Sequence, residues 1–141
     1  MTTMTLSLAD QLVDATLRHA RDKAVAPLAV AVLDAGGHIV VVKREDRATL
    51  LRVDLAVGKA RGALGMGFGT RALAQMAQAA PHFFTGAMAA TGTILPSPGG
   101  ILLRDDTGET IGAIGVSGDN GDVDEACAIP AIEALGLQTS L

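Results

Sequence analysis

Only a few residues in this sequence have side chains suited to chemistry. The histidines are His19, His38 and His82. None of them forms an H-x-H, H-x-x-x-H or H-E-x-x-H pair, so a closed zinc site is not expected. Cys127 is the single cysteine, which excludes both an internal disulfide and a C-x-x-C metal site. His82 lies between Pro81 and the Phe83-Phe84 pair. An imidazole beside apolar rings suits a flat hydrophobic ligand, and it equally suits an anchor within a buried loop. His19 falls at the edge of the apolar face of a predicted helix, as a ligand or as a satisfied edge histidine. His38 completes a turn and should face solvent. The thioethers of Met66, Met76 and Met88 could ligate haem iron, although methionine at helical spacing more often fills a core.

A second group of residues could handle anions or protons. Lys59 and Arg61 share a predicted helix, with Arg52 and Arg71 nearby in sequence. They could pair with a carboxylate or simply be surface charges. Gly99 and Gly100 follow Pro98 and offer backbone N–H groups that a ligand could approach. Lys59, His82 and Glu125 would form the acid–base set if the protein were an enzyme. Asp119, Asp122, Asp124 and Glu125 cluster before and within a predicted last helix. There they are expected to serve as helix-start charges on a solvated face, rather than as a cation loop. Ser117, between Val116 and Gly118, reads as a loop cap rather than a nucleophile. Gly65-x-Gly67-x-Gly69 follows a helix and lacks the P-loop lysine, so it reads as a helix–helix joint.

Composition narrows the partners. The chain has 141 residues, enough for one domain, here 1–141. It has no Trp or Tyr, and its net charge is −4. Neither base stacking nor phosphate-backbone binding is expected, so nucleic acid is excluded as a partner. No apolar run is long enough to span a membrane and no signal-peptide pattern opens the chain, so a cytoplasmic protein is expected.

The elements that must position these groups follow from periodicity and punctuation. Residues 7–23 read as a helix opened by a Ser7/Asp10 capping box, with Ala9, Leu12, Val13, Thr16 and Ala20 on one face. Residues 28–34 and the following IVVVKRED read as a hairpin with a primed turn at Gly36-Gly37. Residues 49–66 form a second helix with Leu50, Val53, Val57, Ala60 and Leu64 on its apolar side. Gly58 and Gly62 mark a small-residue side that another backbone could approach. A short helix over 70–79 precedes a long irregular segment, 81–98. A second hairpin, 100–105 with 110–117, turns at Asp106-Thr107-Gly108. A last helix spans 122–135, with Gly136 at its C-cap. Hairpins imply antiparallel pairing, so the fold class is α+β, with a central antiparallel sheet of about five strands and helices packed on it.

Three stretches resemble the GlcG/HbpS-like family, also called the haem-binding or haem-degrading DUF336 family. They are VAVLDAGGHIVVVKRED, the helix DLAVGKARGAL, and LPSPGGILLRDDTGETIGAIGVSGDNGDVDEACA. The resemblance covers about residues 7–137. One departure is Glu45-Asp46-Arg47, where the family usually has Met-Asp-Gly. The resemblance implies a profilin-like domain that forms homo-oligomers, from dimers to octamers. It also implies haem as a possible cofactor in some members and no fixed set of catalytic residues.

The expected function is binding of a small molecule, haem or another flat anionic ligand. The alternatives are a small catabolic enzyme (isomerase, hydrolase or lyase) with an oligomer-interface site, or an assembly domain without a ligand. The expected pocket joins His82, Phe83, Phe84, Gly99, Gly100, Lys59 and Arg61, with His19 as the rival ligand.

Overall fold

The computed structural model describes residues 2–141. Its elements are α1 (Leu6–Asp22), β1 (Ala29–Asp34), β2 (Ile39–Arg44), α2 (Arg52–Met66), α3 (Thr70–Ala79), α4 (Pro81–Thr91), β3 (Gly100–Arg104), β4 (Thr110–Ser117), α5 (Gly121–Ala134) and β5 (Gln138–Ser140). The five strands form one sheet in the order β2-β1-β4-β3-β5, antiparallel throughout. The α+β class expected from the two hairpins is the one observed.

Residue parity explains the layering. In a strand, successive side chains point to opposite faces. Val30, Val32, Ile101, Leu103, Ile114 and Val116 pack with α1 and α5 on one face. Ala29, Ala31, Leu33, Leu102 and Ala113 pack against α2 on the other. The strands are apolar at both parities because both faces are covered. The α2 face is lined with small residues, so the helix lies close to the sheet. A Cβ on Gly115 would meet the Ala56 carbonyl oxygen at 1.8 Å.

Several local expectations need correction. The Thr5 hydroxyl, not Ser7, caps α1 by accepting from Leu8 N at 3.1 Å. The first hairpin does not use a primed Gly-Gly turn. The Asp34 carbonyl accepts from Gly37 N, the Asp34 carboxylate accepts from the N–H groups of Gly36 and His38, and of the two glycines only Gly37 takes a positive φ. A side chain that satisfies the loop's donors removes the need for a two-residue turn.

The segment 81–98 is not a long loop. Pro81 opens α4 at its first turn, where a missing N–H is harmless, and Gly92 ends it in the left-handed conformation. The buried side of α2 is also rotated from the expected one. Ala56, Val57, Lys59, Ala60, Gly62 and Ala63 are buried, whereas Leu50 is 88% exposed. β5 has only three residues, and its pairing with β3 leaves no local periodicity to read.

Candidate functional site

The charged residues divide into those the fold consumes and those it presents. Lys59 projects from α2 toward the end of β4, where its Nζ donates to the Val116 carbonyl at 2.8 Å and to Asp124 Oδ2 at 3.1 Å. The other Asp124 oxygen accepts from Asp119 N at 2.8 Å. Both side chains are buried. Burial pulls the Lys59 pKa down and the Asp124 pKa up, and their mutual attraction opposes both shifts. Asp124 is therefore not a solvated helix-start charge, because a buried ammonium occupies it.

Glu125 is likewise buried, and Arg71 of α3 donates to both of its oxygens at 3.0 and 3.1 Å. Arg71 also bonds Asp122, which is exposed and sits in the first turn of α5 as expected. Asn120 Oδ1 caps that helix by accepting from Val123 N at 3.1 Å. Ser117 is buried and accepts from Arg52 at 3.3 Å, so its role is an internal contact rather than the loop cap. Among the described residues no cluster of His, Cys, Asp and Glu is arranged to hold a metal ion.

Gly99 and Gly100 face inward. A Cβ on Gly99 would meet Lys59 Nζ at 2.8 Å, and one on Gly100 would meet the Lys59 carbonyl oxygen at 2.5 Å. Gly100 N already donates to the Thr70 hydroxyl at 2.7 Å. These glycines let α2 and α3 close on the sheet. Phe84 is buried with Leu73 and Ile94, while Phe83 is 59% exposed and meets Phe84 edge to face at 5.4 Å. His82 is exposed at the start of α4 and His19 is half-buried on α1. His38 is exposed and bonds Asp34 at 3.2 Å. The expected site residues therefore do not converge on one cavity.

Arg61 is the member of that set that lines a groove. The groove runs between α2 and the end of α4 with the irregular segment that follows it, and it has a volume of about 460 Å³. Val53, Val57 and Gly58 line one side, Met88 and Ile94 the other, with Ile39 of β2 also contributing. Asp54 and Arg61 are its charged residues. They are seven residues apart on α2, about 10 Å along the axis. The volume lies within the range of about 300–1,000 Å³ typical of small-molecule sites.

Gly62, beside it, packs under the backbone of Thr93–Leu95, whereas a Cβ on Gly58 would meet nothing within 4 Å. The two glycines expected to share a role therefore have different ones. Of the three methionines, Met66 and Met76 pack on the Leu73–Phe84–Ile94 cluster, and Met88 is 43% exposed in the groove wall.

The sequence reading missed two features here. Asp124 as the partner of Lys59 was legible in part, because Lys59 falls on the same helical stripe as Ala56, Ala60 and Ala63. A lysine on a buried stripe requires a buried acid. Nothing local marks Asp54, and Met88, singled out beforehand only as a possible iron ligand, is placed in the groove wall by tertiary packing.

The profile of the family described as "Haem degrading protein HbpS-like" matches residues 4–133. The chain belongs to the HbpS-like family. Among solved structures it is similar to the PduOC–haem complex, with 28% identity, a TM-score of 0.89, and coverage of 99% of this chain and 100% of that one. It is also similar to the Klebsiella pneumoniae protein ORFY of family DUF336, with 27% identity, a TM-score of 0.84, and coverage of 94% and 90%. A double mutant of Streptomyces reticuli HbpS gives 29% identity, a TM-score of 0.83, and coverage of 96% and 89%. No relative matches among curated proteins. Membership in the HbpS-like family agrees with the resemblance drawn from the two hairpins and α2. Among the described residues of this HbpS-like chain, no helix is long and apolar enough to cross a membrane.

Proposed function

We propose that this HbpS-like protein binds haem, or a similarly flat ligand with carboxylate groups, in the groove between α2 and the end of α4. The observation that carries the proposal is the groove itself. It has apolar walls, an open floor at Gly58, and the Arg61 guanidinium at its edge. Guanidinium pairs with carboxylates through two parallel N–H donors, which suits a ring whose acid groups lie on one side. Family membership and the similarity to a haem complex support the same ligand class.

Exposed Leu50 and Leu51 lead into α2, and Ile39 is 48% exposed in the groove lining. This apolar surface supports completion of the site by a second copy in a homo-oligomer. His19 and His82 lie outside the groove, and each is a rival iron ligand. The enzymatic reading finds less support, because Lys59 and Glu125 are buried in ion pairs and His82 is on a separate surface.

Hemin titration followed by visible absorbance tests the proposal, using wild type, Arg61→Glu, His19→Ala and His82→Ala. Saturable binding that weakens in Arg61→Glu is expected. Absence of saturable binding, or full retention in Arg61→Glu, contradicts it. Following the same complex in air with an added reductant separates stable binding from oxidative degradation, which would consume O2 and bleach the haem bands.

A further inference from the structure

We propose that the chain carries a second small-molecule site, separate from the groove, in which Arg44 and Arg47 take a phosphate-bearing ligand. The site is a surface basin of about 600 Å³ between the last turns of α1 and the end of β2. The observation that carries the proposal is the backbone of Arg47. The Glu45 carbonyl accepts from Ala48 N at 3.1 Å, so residues 45–48 form a β-turn with Asp46 and Arg47 at its centre. Arg47 has φ +70° and Asp46 does not share the positive sign. That geometry, a type II turn, favours Gly or Asn at its third residue, because a Cβ is crowded in the left-handed conformation.

Both ends of the turn are tied down. Glu45 N donates to the Leu28 carbonyl at 2.8 Å, and its carboxylate accepts from Leu28 N at 2.8 Å and pairs with Arg21 Nε at 2.8 Å. Ala48 is buried. The fold therefore demands a positive φ at position 47, but it does not demand arginine. Arg47 is exposed and has no acid partner among the described residues. An unfavourable backbone state that no packing of the side chain repays points to a use for that side chain.

The charges of the basin say which use. Its lining holds four cations, Arg21, Lys43, Arg44 and Arg47, against Glu45 and Asp46, on a chain whose net charge is −4. Arg21 is spent on Glu45, and Lys43 on Asp10 and Asp14. Arg44 donates to the neutral carbonyls of Glu45 at 3.4 Å and Ala48 at 3.2 Å, so it is braced against the same turn and keeps its charge. Two guanidinium groups are thus held on one anchored turn. Asp46 lies between them in sequence and pairs with neither, which disfavours a weakly charged acid. A phosphoryl group carries about −1.5 to −2 charges near neutral pH with three acceptor oxygens, and so can engage both guanidinium groups at once. Leu17 and Pro27 supply apolar surface for the rest of a small ligand.

Calorimetric titration of wild type, Arg47→Gly, Arg44→Gln and Arg104→Gln with phenyl phosphate and with succinate tests this, beside thermal melts of each protein. Arg104 is a cation on β3 outside the basin. Wild type is expected to bind phenyl phosphate saturably and about tenfold or more tighter than succinate. Arg47→Gly and Arg44→Gln should each weaken that binding by about tenfold, and Arg104→Gln should not change it. Arg47→Gly should melt at or above the wild-type temperature, because glycine fits the turn, so its loss of binding is not a loss of fold. Absence of saturable phenyl phosphate binding overturns the proposal, as does full binding by Arg47→Gly or an equal loss in Arg104→Gln. Succinate bound as tightly as phenyl phosphate overturns the assignment to phosphate. An Arg47→Gly protein that melts below wild type shows that the fold does use the arginine, which removes the premise.

Discussion

Lys59 Nζ stands 3.1 Å from Asp124 Oδ2, with both side chains out of solvent's reach. This contact ties α2 to α5, helices on opposite faces of the sheet, at the end of β4 where the Val116 carbonyl is the third partner. Gly99 is held at φ +123° directly beside the ammonium. The pair therefore fixes where α2 sits, and so where the groove on its outer side opens.

Removing one member leaves an unpaired buried charge, which costs about 3–5 kcal/mol, whereas replacing both by apolar groups is far milder. Lys59→Met is expected to lower unfolding stability by that amount. Lys59→Met with Asp124→Leu should recover most of it. Urea denaturation of the three proteins checks this. A single variant as stable as wild type would contradict the described pair.

Acid sensitivity is expected at Asp105. The Thr107 hydroxyl above all, and the N–H groups of Thr2, Glu109 and Thr107, hold its carboxyl below the ordinary 3.8. A lowered folded-state pKa contributes stability that is complete above 3.8 and is lost as pH falls through the folded value. Asp105→Asn should therefore be less stable than wild type near neutrality and show a shallower loss across that acid window. Thermal melts from pH 6 down to pH 2 read both effects. Parallel profiles for the two proteins would contradict the assignment.

The two hairpins, α1 and α3 were legible because alternation, apolar spacing and Gly or Pro punctuation are local signals. α4 was not. PHFFTGAMAAT is apolar on most sides and has glycine in its interior, and its stability comes from Phe84 packing on Leu73 and Ile94. The role of Lys59 was legible only in part, because its stripe calls for a buried acid but the partner lies 65 residues away. Gly99 and Gly100 looked like open backbone, and only tertiary packing shows that α2 fills the space above them. Arg61 was legible as an available cation, because an exposed charge on a helix needs no tertiary arrangement, and its pairing with an anion belongs to the proposal.

Glycine substitutions separate structural from open positions. Gly115→Ala would drive a Cβ into the Ala56 carbonyl and should prevent stable folding. Gly58→Ala meets no atom and removes a helix-interior glycine, so it should raise stability by about 1 kcal/mol. Melting temperatures decide this. A destabilised Gly58→Ala would show that its surface is already packed in the free protein.

The most direct test of the groove as the ligand site is hemin affinity in Gly58→Leu against wild type, with folding verified by the thermal melt. Filling the floor of the groove should weaken binding by about tenfold or more while leaving the fold intact, since a Cβ at Gly58 meets no atom within 4 Å. Hemin bound equally well by folded Gly58→Leu and by wild type would place the ligand elsewhere and contradict the account.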